Sequence, residues 1–151
     1  MLRLVRTTSE SPDFRILVQL LDQDLAERDG AEHGFYAQYN KIDLIRHAVV
    51  AYQHDLPVGC GAFKEFEAGT VEIKRMYVQS ECRQQGVARA VLGELEMWAS
   101  ELGYATAVLE TGKRQPEAIA LYQRSGYDFT PNYGQYVGIE NSVCLRKVIG
   151  S

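Results

Sequence analysis

The chain has few cysteines and histidines, and this scarcity excludes several classes of protein. Its 151 residues contain three of each, with no CxxC, HxH or HExxH spacing. An odd number of scattered cysteines argues against a disulfide framework and against a structural zinc site. We expect no bound metal, because metal ligands usually recur at short and regular spacings.

Long apolar runs and an excess of basic charge are also missing. No apolar run approaches the roughly 20 residues that span a bilayer. The first residues, MLRLVRTTSESPDF, lack the apolar core of a secretion signal. The formal net charge is −4, which disfavours nucleic-acid binding. We therefore expect a cytoplasmic protein that binds neither membranes nor nucleic acid.

What the chain does contain is typical of one globular domain. Hydrophobic residues make up 46% and charged residues 24% of the sequence, which is an ordinary balance for a folded domain. The length suffices for one domain with a core and falls short of two. No repeat, low-complexity segment or linker interrupts the chain, so residues 1–151 are predicted to form a single domain.

Apolar periodicity predicts both strands and helices. The predicted strands are LRLVRT, HAVVAYQ, PVGCGAFKEFE, TVEIKRMYV, YATAVLE and SVCLRKVI. The predicted helices are SPDFRILVQLLDQDLAERDG, with Ser11 as a cap, an 18-residue helix that ends at Gly103, and QPEAIALYQRSG. GFYAQYNKIDLI is predicted to be a short helix or an ordered loop.

The connections between these elements predict how the sheet is arranged. HAVVAYQ, PVGCGAFKEFE and TVEIKRMYV are joined by short links, which favour an antiparallel meander. TVEIKRMYV, the 18-residue helix and YATAVLE form a strand–helix–strand unit, so the two strands should run parallel. The apolar face of that helix is predicted to comprise Val87, Val91, Leu95, Trp98 and Leu102. The fold class is α/β, with a mixed sheet.

The segment RQQGVAR stands where the long helix is predicted to begin. Backbone N–H groups at a helix start lack helical partners and lie at the positive end of the helix dipole, a combination that binds anions. Gly86 would allow a ligand to approach the backbone closely, and Arg83 and Arg89 add positive charge. A diphosphate is a suitable occupant. The alternative is that Gly86 only forms a turn and the arginines are solvated.

Four segments in order resemble the GNAT superfamily of acyl-CoA-dependent N-acetyltransferases. RQQGVA is similar to the R/Q-x-x-G-x-G/A signature, and EIKRMYV, AVLETG and AIALYQRSGY follow the family pattern. The resemblance is strong over residues 71–127 and looser over the first 40. It implies a GNAT-like fold, a mostly antiparallel mixed sheet with a parallel, splayed central pair and flanking helices. It also implies transfer of an acetyl group from acetyl-CoA to an amine.

The resemblance assigns the residues that would hold coenzyme A. The pantetheine arm would run along Met76, Tyr77 and Val78, and the backbone N–H of Tyr77 or Val78 would bind the thioester oxygen. Gln115 stands where many relatives carry asparagine. Its side-chain amide could also bind coenzyme A, but it extends to a different distance from the backbone. The pyrophosphate would be held by backbone amides of the signature loop, Arg83, Gln84, Gln85, Gly86, Val87, Ala88 and Arg89.

Two residues are candidates for proton transfer. The resemblance gives Tyr122 the role of general acid near the sulfur of coenzyme A; the alternative is a buried aromatic that packs on the sheet. Glu72 is the candidate base, directly or through water, and Glu110 is the second choice. Glu72 could instead orient the amine or pair with Lys74.

The strand pattern also predicts where Glu72 points. Strict alternation places Glu72, Lys74, Met76 and Val78 on one face of their strand. Val71, Ile73, Arg75 and Tyr77 would then occupy the other face.

The acceptor is predicted only as a primary amine of a small molecule or peptide. Tyr133, Tyr136 and Asn141 are candidates for its pocket, together with aromatic residues near Tyr36. A nucleophilic cysteine is disfavoured, since no histidine is placed to activate one. The competing function is a non-catalytic acyl-CoA-binding module. A homodimer formed through the last strands is a further expectation.

Overall fold

Seven strands and three helices make up the part of the chain that the structure describes. This structure is a computed structural model, and it describes residues 2–29 and 45–150. The strands are β1 Leu2–Thr7, β2 His47–Gln53, β3 Leu56–Glu67, β4 Thr70–Val78, β5 Thr106–Gly112, β6 Asp128–Thr130 and β7 Ser142–Val148. The helices are α1 Pro12–Asp29, α2 Val87–Glu101 and α3 Pro116–Arg124. The predicted helix or loop GFYAQYNKIDLI lies outside the described residues except for its last one.

All seven strands belong to one sheet in the order β1-β2-β3-β4-β5-β7-β6. β4 and β5 are parallel, and the other neighbouring pairs are antiparallel. This arrangement confirms the predicted mixed sheet with its one parallel pair. Strand β6 was not predicted, because three residues are too few for a periodic pattern to emerge.

The parallel pair separates soon after it begins. β4 and β5 pair only from Thr70–Glu72 against Thr106–Val108. Beyond that point both strands continue, to Val78 and to Gly112, without pairing to each other. The predicted splayed central pair is therefore confirmed.

Helices α1 and α2 cover opposite faces of the sheet. α1 begins where Ser11 Oγ accepts a hydrogen bond from the N–H of Phe14 at 3.2 Å, as the predicted cap requires. Its buried side chains Phe14, Leu17 and Val18 pack against one face, and α2 packs against the other through Val87, Val91, Leu92, Leu95 and Ala99.

Two details of the α2 prediction are wrong. The helix has 15 residues instead of 18, and Leu102, which was placed on the apolar face, is 50% exposed. Leu102 is the C-cap residue that follows Glu101, so the helical spacing no longer directs its side chain to the core. No helix among the described residues is long and apolar enough to cross a membrane.

A β-bulge interrupts the alternation of β4. Cys60 of β3 lies opposite Tyr77 and Ala62 opposite Lys74, so one residue of β3 faces two of β4. The backbone of Arg75 adopts a left-handed φ of 62° at this point. A non-glycine residue is rare there, and nothing in the local sequence indicates it.

The bulge makes the predicted faces of β4 wrong. Met76 and Val78 were placed beside Glu72, but both pack with Val71 and Ile73 in the core under α2. Beyond the bulge, Tyr77 packs on the α1 face. Because Glu72 precedes the bulge, it lies on the face opposite Val71 and Ile73, and so on the α1 side.

Candidate active site

A cleft opens where β4 and β5 separate. It encloses about 780 Å³, part of it open to solvent. Helix α1 covers one side of the cleft with Leu21 and Leu25, and α3 contributes to another. Polar groups line it together with these apolar side chains, namely Glu72, Lys74, Arg75, Glu110, Thr111, Gln115, Tyr122 and Tyr136.

Glu72 presents a buried carboxylate to this cleft. The residue is 3% exposed, and burial of a charge costs free energy unless polar partners compensate for it. Its Oε2 accepts a hydrogen bond of 2.8 Å from the hydroxyl of Tyr133. Its Oε1 lies 4.0 Å from Nζ of Lys74. The predicted pairing with Lys74 is thus an ionic contact without a direct hydrogen bond.

Lys74 and Glu110 complete the charged part of the cleft. Burial lowers the pKa of Lys74, while the negative charges of Glu72 and Glu110 act in the opposite direction. Glu110 lies on β5, two residues beyond the last residue of that strand to pair with β4. Both candidate bases therefore face the same gap.

Tyr122 reaches the cleft from helix α3. It is 7% exposed and belongs to the core under α2, so it approaches from the face opposite Glu72. Burial, and then the negative charge of Glu110, raise the pKa of Tyr122 well above its usual value. Its ring packs edge-on against Tyr127 at 5.9 Å. The hydroxyl therefore stays protonated at neutral pH.

The loop between β6 and β7 borders the cleft. Tyr136 lines it, whereas Tyr133 and Asn141, the other two residues considered for the acceptor pocket, are absent from the described residues that line it. The hydroxyl of Tyr133 donates a hydrogen bond to the carboxylate of Glu72. Asn132, which no pattern in the sequence indicates, donates from Nδ2 at 3.1 to 3.2 Å to the carbonyls of Tyr136 and Ile139 in the same loop and to that of Ser142, the first residue of β7.

The start of helix α2 has the geometry of an anion site. Gly86 is the N-cap residue with φ 82°, and no side chain of the described residues caps the helix there. The first helical hydrogen bond runs from the N–H of Ala90 to the carbonyl of Gly86 at 3.0 Å. A Cβ on Gly86 would meet no atom within 4 Å. The exposed amides and open approach fit a phosphate group.

Arg83 is directed toward the end of β4. Its Nε donates to the carbonyl of Val78 at 2.9 Å, and its guanidinium lies 5.5 Å from the ring centroid of Tyr77. Asp24 of α1 forms an ion pair with it at 3.8 Å. The side chain thus anchors the signature loop to β4 and α1.

Cys144 and the possible metal ligands are the remaining groups to consider near the cleft. Cys144 is buried, and burial raises the pKa of its thiol to about 11. A thiol that stays neutral is a poor nucleophile. The described residues contain no group of three or more His, Cys, Asp or Glu side chains that could hold a metal ion. The expected absence of a metal stays a prediction.

The splayed pair, the uncapped start of α2 and the tyrosine on α3 are arranged as the resemblance to acyl-CoA-dependent N-acetyltransferases implies. Residues 13–127 match the model of the Acetyltransferase (GNAT) family. The chain belongs to this family. The resemblance drawn from RQQGVA and its neighbours is thereby confirmed.

Related proteins agree with this assignment. An IAA acetyltransferase from Azospirillum brasilense is 37% identical over 139 residues, which cover 87% of this chain and 90% of the relative. A Klebsiella pneumoniae protein described as a candidate acyl-CoA N-acyltransferase superposes with a TM-score of 0.82 at 27% identity, covering 99% of this chain and 98% of that one. The PaiA N-acetyltransferase of Thermoplasma acidophilum, solved with coenzyme A, shares the fold, with a TM-score of 0.73, 14% identity and coverage of 98% and 99%.

Proposed function

We propose that the protein is an acetyl-CoA-dependent N-acetyltransferase that acts on a primary amine of a small molecule or peptide. The observation that carries the proposal is the placement of Glu72 and Tyr122. They line one cleft between splayed strands and approach it from opposite faces of the sheet. With this arrangement, a general acid on one face can act on acetyl-CoA and a general base on the other face can act on the acceptor amine.

Acetyl-CoA would bind along the α2 side. Backbone amides of residues 83–89 would bind the pyrophosphate, because the start of α2 is uncapped and Gly86 leaves room for it; the N–H of Arg83 donates to the carbonyl of Ser80 and would have to exchange that partner. Residues 76–78 of β4 lie beyond the last β4–β5 pair, so their backbone groups on that side, apart from the Val78 carbonyl that Arg83 binds, would pair with the pantetheine amides. Gln115 lines the cleft and would donate its amide to the same arm.

Acetyl-CoA supplies the acetyl group as a thioester, whose C–S bond breaks as the C–N bond to the amine forms. Glu72, directly or through water, takes the proton that the ammonium must lose before it can attack. Tyr122, whose hydroxyl is protonated, donates to the departing sulfur. The N–H of Tyr77 or Val78 stabilises the negative charge on the carbonyl oxygen. Glu110 is the second candidate for the base.

The acceptor is defined here only by its amine. The relative from Azospirillum brasilense is named an IAA acetyltransferase, which makes IAA worth including among the molecules tested. The alternative function is a non-catalytic acyl-CoA-binding module, and a homodimer through the last strands stays a prediction. The two carboxylates and the buried tyrosine in one cleft favour the enzyme, since a binding module needs none of them.

An acceptor screen tests the proposal. The protein is mixed with acetyl-CoA and polyamines, aminoglycosides, amino acids, peptide N-termini or IAA, and released coenzyme A is detected by its thiol. Time-dependent thiol release with at least one amine, and an acetylated product by mass spectrometry, supports the enzyme. Tight binding of acetyl-CoA by calorimetry without any acetylated amine would instead support the binding module.

A further inference from the structure

The carboxylate of Glu72 is held by a tyrosine from a distant part of the chain. Tyr133 lies 61 positions further on, in the loop between β6 and β7, and its hydroxyl donates to Oε2 at 2.8 Å. Burial, and then the negative charge of Glu72, raise the pKa of Tyr133 far above its usual value. The hydroxyl is therefore a permanent donor, and the carboxylate is its acceptor.

The ring of Tyr133 is itself fixed. It packs edge-on against Phe66 of β3 at 4.8 Å and against Tyr136 at 5.8 Å. The preceding residue, Asn132, ties the loop together through its side-chain amide. The N–H of Tyr136 also donates to the carbonyl of Tyr133 at 2.9 Å. A tyrosine so constrained loses little conformational entropy when it binds a carboxylate.

This contact has two consequences for a base. A hydrogen bond to the ionised form of a carboxyl group favours that form. It also occupies one oxygen, Oε2, and so fixes the carboxylate plane with Oε1 turned toward the side of Lys74. The carboxylate is thus held in one orientation in a buried site.

We propose that Tyr133 is a positioning residue for Glu72, one that holds the carboxylate in the orientation that the acceptor amine requires. The proposal rests on the proposed function, because it takes Glu72 as the base. Tyr133 is not a catalytic residue, since it is absent from the described residues that line the cleft and acts through Glu72.

Other groups surround the same carboxylate and bear on its titration. Those that face Glu72 are Lys64, Lys74, Glu110, Tyr133, Tyr136 and Cys144. Helix α1, over the same face, brings Asp22, whose carboxylate is bound by Arg75 at 3.2 Å. Tyr133 donates a hydrogen bond to the Glu72 carboxylate, so its hydroxyl is the group that the test removes.

The test compares Tyr133→Phe with a matched control. Tyr104 donates to Glu65 at 2.7 Å on the surface and away from the cleft, so Tyr104→Phe removes the same kind of bond elsewhere. In Tyr133→Phe we expect kcat for acetyl transfer to fall about 10-fold or more, with KM for acetyl-CoA within about twofold. The acidic limb of the pH–rate profile should move to higher pH. Tyr104→Phe should show neither change.

A double-mutant cycle shows whether Tyr133 acts through Glu72. On a Glu72→Gln background, Tyr133→Phe should produce no further loss of kcat. Full additivity of the two losses would overturn the proposal, as would a Tyr133→Phe pH–rate profile that coincides with that of the wild type.

A measurement without turnover separates this proposal from the proposed function. Carboxyl ¹³C NMR at a fixed pH follows the Glu72 carboxyl resonance in protein labelled at glutamate, with Glu72→Gln used for assignment. Loss of the Tyr133 hydroxyl should shift and broaden this resonance, because the carboxylate then samples more than one orientation, and Tyr104→Phe should leave it unchanged. An unchanged resonance in Tyr133→Phe overturns the positioning role even if the protein is an active acetyltransferase. A shifted and broadened resonance supports that role even if the acceptor screen finds no activity.

Discussion

At the scale of single residues, the cleft contains two carboxylates whose surroundings differ. Glu72 is buried and accepts a hydrogen bond from Tyr133. Glu110 is partly exposed, and its negative charge helps to raise the pKa of Tyr122. A base must be oriented toward the amine and within reach of it. The contact with Tyr133 orients Glu72, which is why we prefer it.

Replacing each carboxylate by its amide distinguishes the two candidates. Glu72→Gln keeps the shape of the side chain but cannot accept a proton, so acetyl transfer near neutral pH should fall by about 10²–10⁴-fold. Glu110→Gln is the matched variant and should lower kcat by less than about tenfold. Steady-state kinetics from pH 6 to 10 provide the measurement. The Glu72→Gln deficit should shrink at high pH, where the amine loses its proton unaided. A larger loss in Glu110→Gln would transfer the role of base to Glu110.

The chemistry-bearing residues were easier to predict than their contacts. Glu72 and Tyr122 stand in recognisable segments, so the sequence alone led to both. The Tyr133–Glu72 bond joins residues 61 positions apart, and no spacing rule links a loop residue to a strand at that distance. Asn132 was missed for a related reason, since its role depends on the loop folding back on itself.

At the scale of elements, the periodicity of apolar residues predicted the strands and helices, but it did not predict the local irregularities of the strands. Alternation and helical spacing led to six of the seven strands and all three helices in the described residues. The bulge at Arg75 has no glycine to mark it, although its φ is 62°. Because one extra residue reverses every side chain after it, this local event decided which face Met76 and Val78 occupy.

The start of α2 is the element on which donor binding depends. Gly86→Ala forces a Cβ onto a residue with φ 82°, which should lower the free energy of unfolding by about 1–2 kcal/mol. The added methyl group also occupies the approach to the amides, so the Kd for acetyl-CoA should rise about tenfold, or about 1.4 kcal/mol. Urea unfolding and titration calorimetry measure the two effects.

Gly69→Ala is the control for that variant. Gly69 has φ 78°, and a Cβ there would also meet nothing within 4 Å, so the backbone strain is comparable. It lies in the turn between β3 and β4, away from α2. We expect a similar loss of stability with an unchanged Kd. If both variants bound acetyl-CoA with equal affinity, the start of α2 would not be part of the acetyl-CoA site.

At the scale of the whole molecule, the sheet separates two hydrophobic clusters. Ionisable groups that are buried in these clusters are kept in their neutral form. Cys60 lies in the cluster under α1 and is fully buried. Its thiol donates to the carbonyl of the bulge residue Arg75 at 3.3 Å. Burial raises the pKa of this thiol to about 12. The stability of the protein should therefore depend on pH on the alkaline side.

The sign of that dependence follows from the raised pKa. An unfolded thiol ionises near pH 8.5, whereas folded Cys60 keeps its proton to about pH 12. Its contribution is fully present below the unfolded pKa and is lost as pH rises toward the folded one, at about 1.4 kcal/mol per pH unit. Urea unfolding under reducing conditions at pH 8 and 10 should show the decrease. Cys60→Ala should show a smaller decrease, and an identical slope would contradict this account.

The most direct test of the central claim, that acetyl transfer occurs in the cleft between β4 and β5, is Tyr122→Phe. We predict that acetyl transfer falls by about 10²-fold or more while calorimetry shows acetyl-CoA binding as in the wild type. Tyr127→Phe is the matched control. Its hydroxyl donates to Glu96 at 2.9 Å, outside the described lining of the cleft, so stability should fall but the transfer rate should not. Transfer by Tyr122→Phe at the wild-type rate would contradict the account and leave Tyr122 as a packing residue.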